Sequence, residues 1–304
     1  MKSFIFKTVL FFFIILAISC FDADAAGTTA GDFLLVSIGA RETALGGIHS
    51  PFYAKPGAAF KNPAVLDGII KKHIAFSHYK SVFGENYGRF YYAQPACGTG
   101  SVMAGLTYNS VGDLYLTDEL GEPVERMDNY DAVLTGVFSF KAGSKLSGGI
   151  ALNAAASRIH EADNYGMGIN LGLLHRNFEK RYLLGASLEN LGFNTSYGDK
   201  IVSWPLLFRA GYGMYMFQHQ KDTVLLFVEE VIYLIENEGA ETALGMEVIY
   251  REFFTVRLGY IFGRDEGRLS LGAGVKYDRF DIDYAYQPYF VADNAHRFTV
   301  SIRF

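Results

Sequence analysis

Charged residues recur at alternate positions within the apolar stretches of the second half of the chain. Successive side chains of an extended strand point to opposite faces, so these charges share one face and leave the other apolar. Their mixed signs allow two chemistries: ion pairing with one another, or attraction of an anionic head group, above all at Arg209 and Arg257. The candidate site residues are Arg209, Glu247, Arg257, Asp281 and Asp283.

Catalysis is not indicated by the remaining reactive residues. The seven histidines are scattered, and no Ser, Cys or acidic cluster has the spacing of a nucleophile or metal-ligand motif. A lipid hydrolase would need a Ser beside a His on neighbouring strands, and His73, His78 and His296 offer only a weak form of this alternative. The sequence therefore predicts a protein that is not an enzyme and that has no cofactor and no metal.

Alternating strands are the elements that must position the charged face. From residue 72 onward the sequence predicts about fourteen of them, each near the ~9–11 residues that a strand needs to cross a membrane in a barrel. The last, His296–Phe304, sets Phe298 and Phe304 on one face against Arg297 and Arg303 on the other. The predicted strands are 72–79, 86–94, 100–109, 129–140, 145–158, 164–175, 181–190, 205–217, 222–232, 240–250, 253–262, 267–277, 279–287 and 295–304.

The connections between these strands give an independent indication of a barrel. With the first strand running outward, the two longest connections, 110–128 and 191–204, fall on one side, and tight turns such as Arg251–Glu252 fall on the other. Short periplasmic turns and longer external loops are typical of bacterial outer-membrane barrels. A soluble β-sandwich also alternates, but the glycines here are concentrated on the polar face, which favours a crowded lumen.

The first 26 residues have the pattern of a secretory signal peptide. A basic start and a short apolar run precede a small-residue cleavage site at Ala23 to Ala26, and lipidation at Cys20 is the alternative. No other stretch is apolar and long enough for a spanning helix. The net charge of -5, without a dense basic run, argues against nucleic-acid binding.

The segment 27–70 does not alternate, because glycine and proline break it into short turns. Its ordered motifs are Gly39-Ala40-Arg41, then Gly46-Gly47, then Asn62-Pro63-Ala64-Val65-Leu66 just before the first predicted strand. This order resembles the N-terminal hatch of FadL-like outer-membrane proteins, and most of all their PorV/PorQ branch. The relatives usually carry an acidic pair where this chain has Lys55-Pro56-Gly57, so the chain departs from the family pattern there.

The resemblance implies an all-β transmembrane antiparallel barrel of about fourteen strands at 71–304, with an N-terminal hatch of short helices and loops at 27–70 inside it. Lumen charges would pair with hatch groups such as Arg41. Asn62 and Pro63 would either contact a substrate or only form a helix-capping turn. The hatch residues so assigned are Gly39, Arg41, Gly46, Gly47, Asn62 and Pro63.

The resemblance also implies passive transport of hydrophobic or amphipathic molecules, such as long-chain fatty acids, in the outer membrane of a diderm bacterium. The PorV/PorQ branch implies an alternative, a scaffold of a type IX secretion system that binds cargo or surface proteins through external loops such as the acidic 110–128. The expected partners are outer-membrane lipid, the barrel-assembly machinery through Phe304, and either a hydrophobic small molecule or secretion proteins. Trp204, at the start of a predicted strand, is expected to anchor the barrel at the membrane interface, with ordinary packing as the alternative.

Overall fold

Fourteen antiparallel strands form a closed barrel, so the predicted strand number is confirmed. The computed structural model describes residues 31–304 except 82–83, 97, 99, 113–114, 119, 121, 127–128, 161, 198–199, 220–222, 236–238, 265 and 291–292, and the predicted signal peptide lies outside the described residues. The barrel strands are β1 (His73–Lys80), β2 (Glu85–Ala96), β3 (Gly100–Val111), β6 (Asn129–Lys141), β7 (Leu146–Ile159), β8 (Ala162–Asn177), β9 (Tyr182–Tyr197), β11 (Leu207–His219), β12 (Thr223–Leu234), β13 (Gly239–Tyr250), β14 (Phe254–Phe262), β15 (Leu269–Tyr277), β16 (Phe280–Gln287) and β17 (Ala295–Arg303).

Closure brings the two ends of the barrel sequence together. β1 pairs with β17 over its full length, with Phe76 opposite Val300 and Ser77 opposite Thr299. β8 and β9 pair with each other as well, so each of the fourteen strands has a partner on both sides. A closed barrel removes the unpaired edges that a sheet inside a bilayer cannot leave unsatisfied.

The two ends of the barrel differ in the length of their connections. We call the end with short connections, such as 251–253 and 278–279, the turn end, and the opposite end the loop end. The loop end carries the two longest connections, which contain the hairpin of β4 (Tyr115–Thr117) and β5 (Pro123–Arg126) and the short strand β10 (Lys200–Ser203). The sequence did not predict these three strands. Among the described strands, β10 pairs only with β9, at the loop-end part of β9.

The outer face of the barrel is apolar and the inner face is polar. On β8, Met167 and Leu173 are exposed, whereas the alternating Asn164 and Asn170 are buried. Apolar residues on the other strands are exposed in the same way, among them Phe76, Phe90, Leu106, Leu134, Leu152, Phe208, Met246, Leu258, Leu271, Ile282 and Val300. An apolar exterior around a polar interior is the arrangement by which strands span a membrane. Within the described ranges, no helix is both long and apolar enough to cross a bilayer.

The N-terminal segment, residues 31–72, packs against the inner face of the barrel. It contains three short 3₁₀ helices and one short α-helix: η1 (Asp32–Leu35), α1 (Ala40–Ala44), η2 (Pro56–Phe60) and η3 (Pro63–Leu66). Leu45, Phe52 and Val65 are fully or almost fully buried and pack with barrel residues such as Met103 and Leu226 in the largest apolar cluster. The core of the protein therefore lies inside the barrel and not within its wall.

Close approach between this segment and the wall depends on glycine. Gly46 and Gly47 have φ values of 77° and 73°, which side chains with a Cβ rarely adopt. A Cβ on Gly259 of β14 would collide with the backbone nitrogen of Gly46. The glycines on the polar face thus make room for a backbone that passes along the wall.

Trp204 is not an interface anchor, so that prediction is wrong. Its side chain is 1% exposed and lies inside the barrel, against Val133 and Ala155. The indole Nε1 donates a hydrogen bond to Asn194 Oδ1 at 2.5 Å. The reason is that residues 204–206 leave the sheet between β10 and β11, which turns the ring inward onto the glycines of β8.

Candidate functional site

A chain of buried ion pairs joins the N-terminal segment to the barrel near the turn end. Arg41 binds Glu247 of β13 at two points, with Nε 3.0 Å from Oε2 and Nη2 3.1 Å from Oε1. Arg257 of β14 shares Glu247 at 2.7 Å and reaches Asp283 of β16 at 2.6 Å. The register explains this cluster, since Glu247 lies directly opposite Arg257. Removing one member of such a buried cluster destabilises the protein, because it leaves the charge of another member uncompensated.

Asp281, the neighbour of Asp283 on the same face, belongs to a separate pair. It accepts a hydrogen bond from Arg303 of β17, with Nη2 3.0 Å from Oδ1. The structure therefore brings Glu247, Arg257 and Asp283 into one cluster, places Asp281 beside it and leaves Arg209 elsewhere.

Arg209 of β11 lies at the centre of a second cluster. Its guanidinium lies 2.8 Å from a carboxylate oxygen of Glu189 and 3.1 Å from one of Glu230. Glu230 also accepts hydrogen bonds from the backbone N–H groups of His49 and Ser50. The cluster thus fixes the path of the N-terminal segment. Arg209 and Arg257 each contact two carboxylates, which supports ion pairing over head-group binding at these two arginines.

The Asn62-Pro63 motif forms a capping turn. Asn62 Oδ1 accepts a hydrogen bond from the backbone N–H of Ala64 at 3.1 Å, and Pro63 begins η3. The Asn62 amide also donates to the carbonyls of Ser50 and Leu173, at 3.1 and 3.2 Å. These contacts use both the oxygen and the nitrogen of the Asn62 side-chain amide. They support the structural alternative to substrate contact that the sequence left open.

An apolar cluster lies on the loop-end side of the N-terminal segment. Phe33 and Leu34 of η1 pack against Val133, Ala155 and Trp204. Beneath it lies a small cavity of about 30 Å³, which is lined by Phe33, Leu34, Phe60, Lys61, Arg89, Thr107, Val133, Thr135, Asn153, Asn170 and Asn190. This cavity has room for about one water molecule.

A larger cavity of about 400 Å³ lies on the turn-end side of the same segment. Arg41, Lys55 and Glu42 of the N-terminal segment form one wall, and β1, β2 and β12–β17 form the others. Four of the five predicted site residues, all except Arg209, line this cavity. Its size is within the ~300–1,000 Å³ of small-molecule pockets.

Two lysines and a histidine of the N-terminal segment have pKa values below the usual ones. Burial lowers the pKa of Lys61 to about 8, against the opposing effect of Glu189, whose carboxylate lies 3.7 Å away. Burial likewise lowers the pKa of Lys55 to about 8, and the positive charge of Arg41 adds to this shift. Burial, followed by the charges of Arg209 and Lys61, lowers the pKa of His49 well below its usual value. The surroundings of these three residues therefore disfavour additional positive charge.

Among the described residues, no hydrogen bond joins a serine to His73, which lines the turn-end cavity, or to His78 or His296. Ser77 of β1 points into the barrel, where its hydroxyl lies 2.8 Å from that of Thr299. His78 and His296 point outward, and the His296 ring bonds the hydroxyl of Tyr284 at 2.7 Å. In the part of the chain that the structure describes, no group of three or more His, Cys, Asp or Glu side chains could hold a metal ion.

Sequence reasoning missed three features of this interior. Glu230 was not predicted because β12 is apolar on both faces around it, although its alternation with Val228 and Leu226 was a usable signal. Lys55 was noticed only as a departure from a family pattern. The sequence analysis placed Trp204 at the membrane interface. Nothing in the local sequence indicates that its ring packs against the glycines of β8.

The overall fold is that of known outer-membrane channels, although no family model and no curated protein sequence matches the chain. The structure is similar to the toluene transporter TodX of Pseudomonas putida, with a TM-score of 0.55, 14% identity, and coverage of 93% of this chain and 98% of TodX. The monoaromatic hydrocarbon channel CymD gives a TM-score of 0.57 at 13% identity, covering 88% of this chain and 97% of CymD. A Pseudomonas aeruginosa FadL homologue gives 0.55 at 12% identity, with coverages of 92% and 99%.

Proposed function

We propose that this protein is a passive channel for hydrophobic or amphipathic small molecules, such as long-chain fatty acids, in the outer membrane of a diderm bacterium. The observation that carries the proposal is the asymmetry across the N-terminal segment. An apolar cluster around Phe33, Leu34 and Trp204 faces the loop end, and a polar cavity of about 400 Å³ lies on the turn-end side. In this function the segment acts as the hatch that closes the barrel until a ligand arrives.

Beside the apolar cluster, β10 takes the place of β11 as the partner of β9. β9 pairs with β11 only as far as Glu189 opposite Leu207, and beyond that point it pairs with β10. The second edge of β10 has no partner among the described strands. This free edge of β10, which directly precedes Trp204 in the chain, supports a side opening as well as passage past the hatch.

The solved structures that share this fold are named as hydrocarbon channels and a FadL homologue, which agrees with a hydrophobic substrate. The PorV/PorQ assignment rests on the sequence motifs alone. The chemistry of the interior supports an amphipathic substrate, since the apolar cluster suits a hydrocarbon tail and the turn-end cavity suits a polar group.

Uptake by reconstituted vesicles tests the proposal. We expect saturable binding of palmitate to the purified barrel and faster entry of palmitate into vesicles that contain it. Leu34→Asp should reduce both, because it places a carboxylate in the apolar cluster, and Leu173→Asn on the outer face is the matched control. Deleting residues 27–66 should open an ion-conducting pore. Absence of saturable binding, together with unchanged conductance after the deletion, would rule the channel out.

A scaffold of a secretion system is the second candidate, and the β4–β5 hairpin favours it. Tyr115, Leu120 and Val124 are exposed on this hairpin next to Asp118, an arrangement that suits contact with another protein. Deleting residues 112–128 should then release bound secretion proteins while palmitate uptake is unchanged. If the source organism has no other component of such a system, this candidate fails.

A further inference from the structure

The strand register arranges the outward-facing residues of β16, β17, β1, β2, β3, β6 and β7, which are neighbours in this order, into rows around the wall. Outward-facing residues lie two positions apart along a strand, so successive rows lie successively closer to the loop end. The first of three such rows, which we call the apolar row, contains Ile282, Val300, Phe76, Phe90, Leu106, Leu134 and Ala154. Its composition is that of the lipid-facing band of a barrel.

The wall becomes polar over the next two rows. The mixed row contains Tyr284, Phe298, His78, Gly88, Tyr108, Ala132 and Ala156. The polar row contains Tyr286, His296, Lys80, Asn86, Ser110, Tyr130 and Arg158. Tyrosines between an apolar band and polar residues are typical of the membrane interface. The polar row therefore lies at the level of the lipid head groups on the loop-end side.

Lys80, the lysine of the polar row, has no carboxylate partner. Its side chain is exposed, and among the residues that the structure describes it forms no ion pair. Glu85, the acidic residue closest in register, faces the lumen, where its carboxylate accepts a hydrogen bond from the Tyr87 hydroxyl at 3.3 Å. Arg158 of the same row, by contrast, binds Asp163 with Nε 2.6 Å from Oδ1. The ammonium group of Lys80 is therefore available to a group outside the protein.

Two imidazoles and an open position surround Lys80. His296 lies directly opposite Lys80 on β17, and His78 lies two residues earlier on the same face of β1. Gly88 lies opposite His78 on β2, and a Cβ at this position would meet no atom within 4 Å. Tyr108, which is 45% exposed, lies opposite Gly88 on β3. The wall thus has a shallow recess between a histidine and a tyrosine, with Lys80 on its loop-end side.

We propose that this part of the wall binds the phosphate-bearing head group of an anionic membrane lipid from the leaflet on the loop-end side. We call it the Lys80 patch, and it consists of His78, Lys80, Asn86, Gly88, Tyr108 and His296. The phosphate accepts charge-assisted hydrogen bonds from the ammonium group and the imidazoles, which are stronger than hydrogen bonds between neutral groups. The recess over Gly88 holds the part of the head group to which the phosphate is attached.

The occupant is a lipid and not a soluble anion, because the Lys80 patch continues into the apolar row. Phe76 and Phe90 lie one row deeper than His78 and Gly88, are 54% and 48% exposed, and offer their rings to acyl chains. A lysine at the membrane surface attracts anionic lipid in preference to zwitterionic lipid. Since the patch lies on the outer face of the wall, it is independent of the lumen and of the proposed transport function.

Quenching of a single tryptophan by brominated lipids tests the site. In a Trp204→Phe background, which removes the chain's single tryptophan, Tyr108→Trp places a reporter in the Lys80 patch. Tyr165→Trp places the control reporter on β8, where the mixed row continues opposite Ala156. Each barrel is reconstituted in phosphatidylcholine vesicles that contain the same minor fraction of brominated phosphatidylglycerol or of brominated phosphatidylcholine. At Tyr108→Trp we expect about fivefold preference for the anionic lipid, the effect of about one cation at the surface. Tyr165→Trp should show no preference.

Substitutions of Lys80 assign the preference to its charge. Lys80→Gln in the Tyr108→Trp protein should bring the ratio close to one, and Lys80→Arg should keep it. Lys72→Gln, which removes an exposed lysine at the turn end, is the matched control and should leave the ratio unchanged.

Three results overturn the inference. The first is the same preference at both reporters, and the second is an unchanged ratio in Lys80→Gln. The third is the absence of quenching of Tyr108→Trp by either lipid, which would show that protein, such as a second copy of this chain, covers the patch. None of these results affects the proposed channel, whose test is palmitate uptake.

Discussion

Arg41 and Glu247 form a two-point ion pair across 206 positions of sequence, with N···O distances of 3.0 and 3.1 Å. The pair connects the helix α1 of the N-terminal segment to the barrel wall, and Arg257 shares its carboxylate. Both partners are more than nine-tenths buried. The segment is therefore fastened near the turn end by charges, while apolar side chains hold it at the loop end.

Removing Glu247 should loosen the N-terminal segment. Glu247→Ala leaves Arg41 and Arg257 with one fewer carboxylate, a change that costs about 3–5 kcal/mol at a buried pair. Faster hydrogen exchange at the amides of 40–47 would report it. The double variant Arg41→Met with Glu247→Met should be less destabilised than Glu247→Ala, and Glu252→Gln at the exposed rim should change nothing. Unaltered exchange in Glu247→Ala would show that the pair does not hold the segment.

Trp204 fluorescence should report the lumen and not the lipid. Because the single tryptophan is 1% exposed inside the barrel, brominated lipids should quench its emission poorly. As a control, Leu184→Trp in a Trp204→Phe background places the only indole on the outer face, where brominated lipids should quench it strongly. Strong quenching of Trp204 itself would show that its side chain lies at the membrane interface and not in the lumen.

Lys55 should affect the stability of the folded protein in a way that depends on pH. Its pKa is lower in the folded protein than the 10.5 of a free lysine, so the unfolded chain binds this proton more tightly. Stability from this group therefore increases as the pH rises from about 8 to about 10.5. The hydrogen-exchange protection factors of the amides of 54–58, which are corrected for the base-catalysed intrinsic rate, should increase over this range in the unaltered protein and stay level in Lys55→Met.

The side chain of Phe304 should matter for assembly. Its backbone N–H and C=O each bond Lys72 at 3.0 Å, and these bonds join β17 to the start of β1. Phe304→Asp keeps both bonds but removes the aromatic ring, so we expect impaired insertion, measured by the heat-induced shift in gel mobility. A single lumen change such as Glu252→Gln should insert normally. Normal insertion of Phe304→Asp would show that the ring is not an assembly signal.

The sequence by itself determined the barrel. The alternation of apolar and polar residues with period two assigns each strand two unlike faces, and short and long connections fix the direction of each strand. Local spacing alone therefore predicted all fourteen strands of the wall. It also placed Glu247, Arg257, Asp281 and Asp283 on the inner face, because parity along a strand is a local property.

Only the tertiary structure decided which inner residues meet. Arg41 and Glu247, or Glu230 and the backbone of Ser50, are neighbours because the N-terminal segment folds back through the lumen. No local pattern encodes that path. The alternation of side chains within a strand also cannot say whether a residue between two strands, such as Trp204, turns inward. The lowered pKa of Lys55 is likewise a property of its surroundings, which exist only once eight strands and the N-terminal segment enclose one cavity.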